Sequence, residues 1–202
     1  MTIDLAGLLR WGPLVVLALY AGAFAAGSFR VANKGDGRVY VLDADAIQRV
    51  SQAAFRLSFA ALLALFTLRA GSPFLERFAG PLEWAHSPVV QLSGLIVMAA
   101  GAAFAAIAQY QMGQTWRIGV PDQKPSHLTT RGLFRFSRNP VFLGMAAMFA
   151  GALFIAPNAI TIASFSLAIF AMSIQIRREE AFLSVKIEPA YETFRARVRR
   201  WI

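Results

Sequence analysis

HLTTRGLFRFSRNPVFLG, residues 127–144, joins a basic, turn-rich loop to an apolar helix. Asn139 is of the type preferred at a helix N-cap and Pro140 of the type preferred at the first helical position, so a helix is expected to start at this dipeptide. Arg131, Arg135 and Arg138 crowd the same few residues. Unpaired N–H groups, the positive end of the helix dipole and neighbouring guanidinium groups make such a helix start a site for an anion. On this reading the anion site lies where the chain enters a membrane.

Outward from this loop the sequence is a succession of apolar runs. Val141–Ala156 and Ala159–Ile176 are separated only by Pro157 and Asn158, which predicts a tight helical hairpin across the bilayer. Before the loop, Pro88–Met112 is long enough to project beyond the hydrocarbon, which takes roughly 20 residues to cross. It would carry Gln109, Tyr110, Gln111 and Gln114 to the polar boundary, and Gly94, Ala99, Gly101, Ala102 and Ala105 invite close helix packing. Ser51–Arg69 and Trp11–Phe29 supply two more spans. A secretory signal is the rival reading of the first, but Asp4 and a lone Arg10 make a poor basic leader and Arg30, Lys34 and Arg38 follow it. Gly35-Asp36-Gly37 is a turn signal, Asp43 or Asp45 suits an N-cap, and Phe74–Ser87 reads as an interfacial stretch anchored by Trp84. After Arg177 the chain turns polar; Phe182, Leu183 and Ile187 stripe one helix, and Pro189 starts a last short one through Trp201.

The expected fold is therefore all-α: a polytopic membrane protein with five transmembrane helices, a helical hairpin and C-terminal cytoplasmic helices. It reads as a single domain over 1–202, the first three spans occupying 1–112 and the loop, hairpin and tail 113–202. Composition agrees, with 57% hydrophobic residues and a mean hydropathy of +0.52. The net charge of +9 is concentrated in the first connector, the loop and the tail, with only Arg10, Arg69 and Arg77 on the other side. By the positive-inside rule the N-terminus lies outside and the C-terminus in the cytoplasm, in the inner membrane if the source is bacterial. Such flanking charge meets lipid headgroups, and no nucleic-acid partner is expected. With no cysteine and only His86 and His127 for imidazole, thiolate chemistry, iron–sulfur clusters and a His-rich metal site are excluded.

The loop also resembles the signature of integral-membrane methyltransferases, the group of isoprenylcysteine carboxyl methyltransferases and phosphatidylethanolamine N-methyltransferases. His127, Leu128, Thr130, Gly132, Arg135, Arg138, Pro140 and Gly144 match its pattern, and Glu179-Glu180 and Tyr191–Trp201 supply the later elements. Asn139 stands where the family has His, and Phe134 and Phe142 where it has Tyr. The resemblance implies S-adenosylmethionine bound in a cytoplasmic pocket, and a lipophilic or lipidated acceptor entering from the bilayer. That acceptor would be an isoprenylcysteine carboxylate or a phospholipid amine.

The residues read on their own allow the same pocket. The hairpin brings Asn139 near the Arg177–Glu180 turn, giving a basic helix start on one wall and two carboxylates on another. Arg138, or the N–H groups near Asn139, would take a ligand carboxylate, and Glu179 or Glu180 an ammonium. Arg138 and Glu180 are the expected catalytic residues, Glu180 accepting the proton of an amine acceptor. Taken with the resemblance, His127, Leu128, Thr130, Gly132, Phe134, Arg138, Asn139, Pro140, Phe142, Glu179 and Glu180 are the expected cofactor contacts. Two rivals remain open: a membrane reductase using NADPH, whose phosphates a basic pocket would welcome, and a non-catalytic lipid-binding protein.

Overall fold

The computed structural model describes residues 4–34, 39, 45–72, 74, 80–82, 87–119 and 128–202. Among them it is all-α and multi-pass. The helices are α1 (Leu5–Lys34), α2 (Ala46–Gly71), α3 (Pro88–Met112), α4 (Pro140–Ile155), α5 (Ala159–Lys186) and α6 (Ala190–Arg197), with single 3₁₀ turns at Gly113–Thr115 and Gly132–Arg135. Four of these are long and apolar enough to cross a membrane, while α4 has only 16 residues. At 1.5 Å per residue α4 spans about 24 Å, short of a hydrocarbon layer of about 30 Å.

Helix starts follow the capping chemistry. Asp45, rather than Asp43, caps α2 by accepting from the Gln48 N–H, and that bond holds its carboxyl below the usual range. Asn158 and Thr161 form a reciprocal capping box at the start of α5. Two expectations are corrected. Helix α1 reaches well beyond Trp11–Phe29 at both ends, and α5 does not stop at Ile176 but runs unbroken for 28 residues. Ile176–Lys186 contains neither Gly nor Pro and is mostly good helix formers, so polarity there marks departure from the apolar stretch, not a break. Helix α6 does begin after Pro189 but ends at Arg197, short of Trp201. Gly35–Gly37, Asp43, Trp84, His86 and His127 lie outside the described residues.

The helices alternate in direction. At one end Arg10 Nε donates to the Ala70 carbonyl, Arg69 Nη1 to that of Ile155, and the Leu82 N–H to that of Pro157. At the other end Arg178 on α5 pairs with Asp45 at the start of α2. Between the ends, α3 and α4 meet backbone to backbone. A Cβ added at Gly101 would lie 2.6 Å from the Gly144 carbonyl oxygen, one at Gly94 2.8 Å from that of Gly151, and one at Gly144 2.5 Å from the Ala105 nitrogen. Of the small α3 residues, Gly94, Gly101, Ala102 and Ala105 are buried in this arrangement, whereas Ala99 is exposed. Where helices attract one another without a hydrophobic driving force, such close approach is what holds them.

Aromatic side chains fill the other half of the bundle. Phe24 of α1 meets Trp116 edge to face with centroids 5.6 Å apart, Tyr20 lies 6.4 Å from Phe59 of α2, and Phe55 lies 5.8 Å from Phe149 of α4. Trp116 is buried and donates its indole N–H to Ser28 Oγ, so it joins α1 to the end of α3 and is no simple surface anchor. Gln109 likewise ties α3 to the Phe24 carbonyl, while Tyr110 stacks under Arg30. These bulky rings cannot close the space as glycines do, and a cavity is left.

Candidate active site

The expected charged wall is present, but its charges are spent on each other. Arg138 Nε and Nη2 both donate to Glu180 Oε1, at 3.1 and 2.9 Å, and Nη1 donates to the carbonyls of Arg195 and Val198 at 3.2 and 3.0 Å. Four of the five guanidinium N–H groups are thereby committed. Arg200 closes on the same carboxylate, its Nη2 2.7 Å from Oε2. The Arg138 N–H donates to the Arg199 carbonyl at 2.9 Å, and Ser137 Oγ and Asn139 Nδ2 donate to that of Arg200. Asn139 sits at the N-cap position of α4 without capping it; its amide instead faces Glu180 and the C-terminal segment. A clasp of one carboxylate and two guanidiniums thus fastens residues 198–200 to the loop before α4.

Glu179 is placed otherwise. Consecutive helix residues diverge by about 100°, so Glu179 points away from this clasp; among the described residues it accepts one bond, from Gln175 Nε2 one turn earlier, at 2.8 Å. It stands half-buried on the wall of a cavity of about 630 Å³. Among the described residues two polar atoms of cavity-lining side chains are buried and unpartnered: Gln175 Oε1, next to Glu179, and the Tyr191 hydroxyl, on the side of Glu180. Burial, and next the charge of Glu180, push the Tyr191 phenol up to about 12, so it stays a neutral donor. Such orphaned buried groups are costly unless a ligand or water satisfies them.

The cavity continues from this polar end into an apolar throat between α1 and α2, where Tyr20, Phe24, Phe55, Phe59, Ala60 and Leu63 line it. Of the residues expected at the site, Leu128, Phe134, Arg138, Asn139, Pro140, Phe142, Glu179 and Glu180 line this cavity. Thr130 is exposed and Gly132 is not on its wall. Gly132 serves the turn: its φ of +61° suits glycine, and Leu133 N–H donates to Gln111 Oε1 at 2.8 Å across a gap with no room for a Cβ. His127 is outside the described residues. Gln175 and Tyr191 were not foreseen as site residues, although Gln175 precedes Glu179 by one helical turn and Tyr191 opens the Arg-rich tail.

A bundle of apolar helices around a cavity that is polar at its loop end and aromatic between α1 and α2 defines a class: multi-pass membrane proteins with an internal cavity. Residues 89–187 match the family model described as phospholipid methyltransferase, a match that is consistent with an integral-membrane methyltransferase and supports one of the lipid-methylating kind. The matched segment contains α3, the loop, α4 and α5. No curated protein matches the chain.

Proposed function

We propose that the protein is an S-adenosylmethionine-dependent methyltransferase acting on a lipophilic acceptor at the cytoplasmic membrane face. The observation that carries this is the continuity of the cavity, from Glu179, Gln175 and Tyr191 at its polar end to the aromatic throat between α1 and α2. The residues present fit the cofactor. Glu179, whose one hydrogen bond among the described residues comes from Gln175, suits its ammonium, the N–H groups of Val141 and Phe142 at the start of α4 suit its carboxylate, and the orphaned Gln175 and Tyr191 atoms suit its polar edges. When bound, the cofactor supplies a sulfonium methyl group open to direct displacement.

The chain's own part is then alignment and exclusion of water. Holding reactants in line supplies about 7–11 kcal/mol in favourable cases. Arg138 and Glu180, expected to touch the ligand, act in this reading as positioning residues: they hold the loop before α4 against α5 and so fix the pocket's two walls. Glu180 already accepts from two arginines and is poorly placed to take up a proton. Glu179 is the carboxylate left for that role if the acceptor is an amine. Equilibrium binding of labelled S-adenosylmethionine and of NADPH to the purified protein in detergent tests this. Saturable binding of the first, weakened about tenfold in Glu179→Gln, is expected; binding of NADPH alone would replace a methyltransferase with a reductase, and binding of neither would leave a lipid-binding protein.

A further inference from the structure

Beside the clasp a second, smaller recess of about 190 Å³ opens between α5, α6 and the C-terminal segment. Arg177, Glu180 and Ser184 fall at i, i+3 and i+7 of α5, so one stripe of that helix forms its floor. Tyr191 and Arg195, one turn apart on α6, face it, and Arg200 completes the wall. Three guanidiniums therefore meet one carboxylate, and that carboxylate is already covered, Oε1 by Arg138 and Oε2 by Arg200. Arg200 uses Nε and Nη2 on Glu180 and keeps Nη1. Arg195 reaches Glu192 only at 3.4 Å, between two exposed side chains. Arg177 has no hydrogen-bond or ion-pair partner among the described residues. Tyr191 is 2% exposed and lines both this recess and the main cavity, and its hydroxyl is orphaned. A hydroxyl both donates and accepts, so it can donate to an anion here and still accept from a group in the main cavity.

A phosphomonoester brings about −1.5 to −2 charge and three acceptor oxygens, and planar guanidinium forks match such oxygens in pairs. A carboxylate, with one charge and two oxygens, would leave the third guanidinium unanswered. We propose that Arg177, Arg195, Arg200 and the Tyr191 hydroxyl form a second binding site, for a phosphate group carried by a free phosphomonoester or by an anionic lipid headgroup. The site is distinct from the cavity assigned to the cofactor and its acceptor, and it stands whether or not the methyltransferase reading does. Tyr191, Arg195 and Arg200 lie beyond the segment 89–187, so the family match does not speak to them.

The test is equilibrium binding of labelled inorganic phosphate to the full-length protein in detergent, without S-adenosylmethionine. Saturable binding with a dissociation constant of about 1 mM or tighter is expected. Glycerol 3-phosphate and its singly acylated, short-chain form are then added as competitors. Equal competition by the two assigns the site to free phosphomonoesters, and tighter competition by the acylated form assigns it to lipid headgroups. Arg177→Gln alters an exposed side chain with no partner to lose, so it should weaken phosphate binding at least tenfold with the unfolding midpoint unchanged. Tyr191→Phe keeps the ring and loses the donor, and should weaken it roughly threefold. Arg197→Gln removes the same charge from a residue outside the recess and should leave the affinity within twofold. Absence of saturable phosphate binding, or an unchanged affinity in Arg177→Gln or in Tyr191→Phe, overturns the site. Equal losses in Arg177→Gln and Arg197→Gln also overturn it, because diffuse positive charge would then account for the binding.

Discussion

The α3–α4 seam and the Arg138–Glu180–Arg200 clasp both fasten α4 into the molecule, and they do it by opposite physics. In the seam, glycines let two backbones touch, so the attraction is dispersion at short range, insensitive to salt. In the clasp, one carboxylate and two guanidiniums are held by directional, charge-assisted bonds, with the side chains of Arg138 and Glu180 only 10% and 12% exposed. The seam tolerates no added volume; the clasp tolerates no missing charge. The cavity opens on the side of α4 away from the seam and beside the clasp, so the binding region borders the part of the fold that depends on charge.

The comparison is broken most severely at Arg138. Arg138→Ala removes two bonds to Glu180 and two to the C-terminal carbonyls while leaving Glu180 shielded from water; a loss of about 3–5 kcal/mol is expected for opening such a buried pair. A thermal unfolding midpoint in detergent close to wild type would show that the clasp is ornamental to stability. The seam answers to volume instead. Gly144→Ala sets a methyl against the Ala105 backbone and should cost about 1–3 kcal/mol, unaffected by raising salt, whereas the Arg138→Ala deficit should shrink as salt weakens the wild-type clasp. Equal salt responses would erase the distinction.

Smaller effects sharpen it. Glu179→Gln belongs to neither device, so unfolding should be unchanged while S-adenosylmethionine binding weakens about tenfold, or about 1.4 kcal/mol, by titration. Arg200→Ala removes the outer arm of the clasp, a side chain 43% exposed, and should cost less than about 1 kcal/mol. A deficit at Arg200 as large as that at Arg138 would mean that the two arginines act as one unit.

Much of the fold was legible because breakers punctuate it. Pro88, Asn139-Pro140 and Pro157-Asn158 each mark a helix start observed within a residue of the expected one. Helix continuation past Ile176 was missed because polarity was read as an ending, when the backbone responds to propensity and not to the solvent. The site was legible as a set of residues, less so as roles. Adjacent carboxylates look equivalent in a sequence, yet the helix turns Glu180 to the clasp and Glu179 to the cavity. Nor could spacing tell that Arg138 meets Glu180 and two carbonyls of the tail, since those partners are 42, 57 and 60 positions away.

One consequence follows from the unbroken course of α5. Ala171, Met172, Gln175 and Glu179 occupy successive turns of a single rod about 42 Å long, the first two beside the lipid end of the cavity and the last at its polar end. A load applied to Glu179 is therefore borne by the same lever that borders the hydrocarbon. Any shift in affinity that a group at one end causes at the other must, by thermodynamic reciprocity, be returned in equal measure.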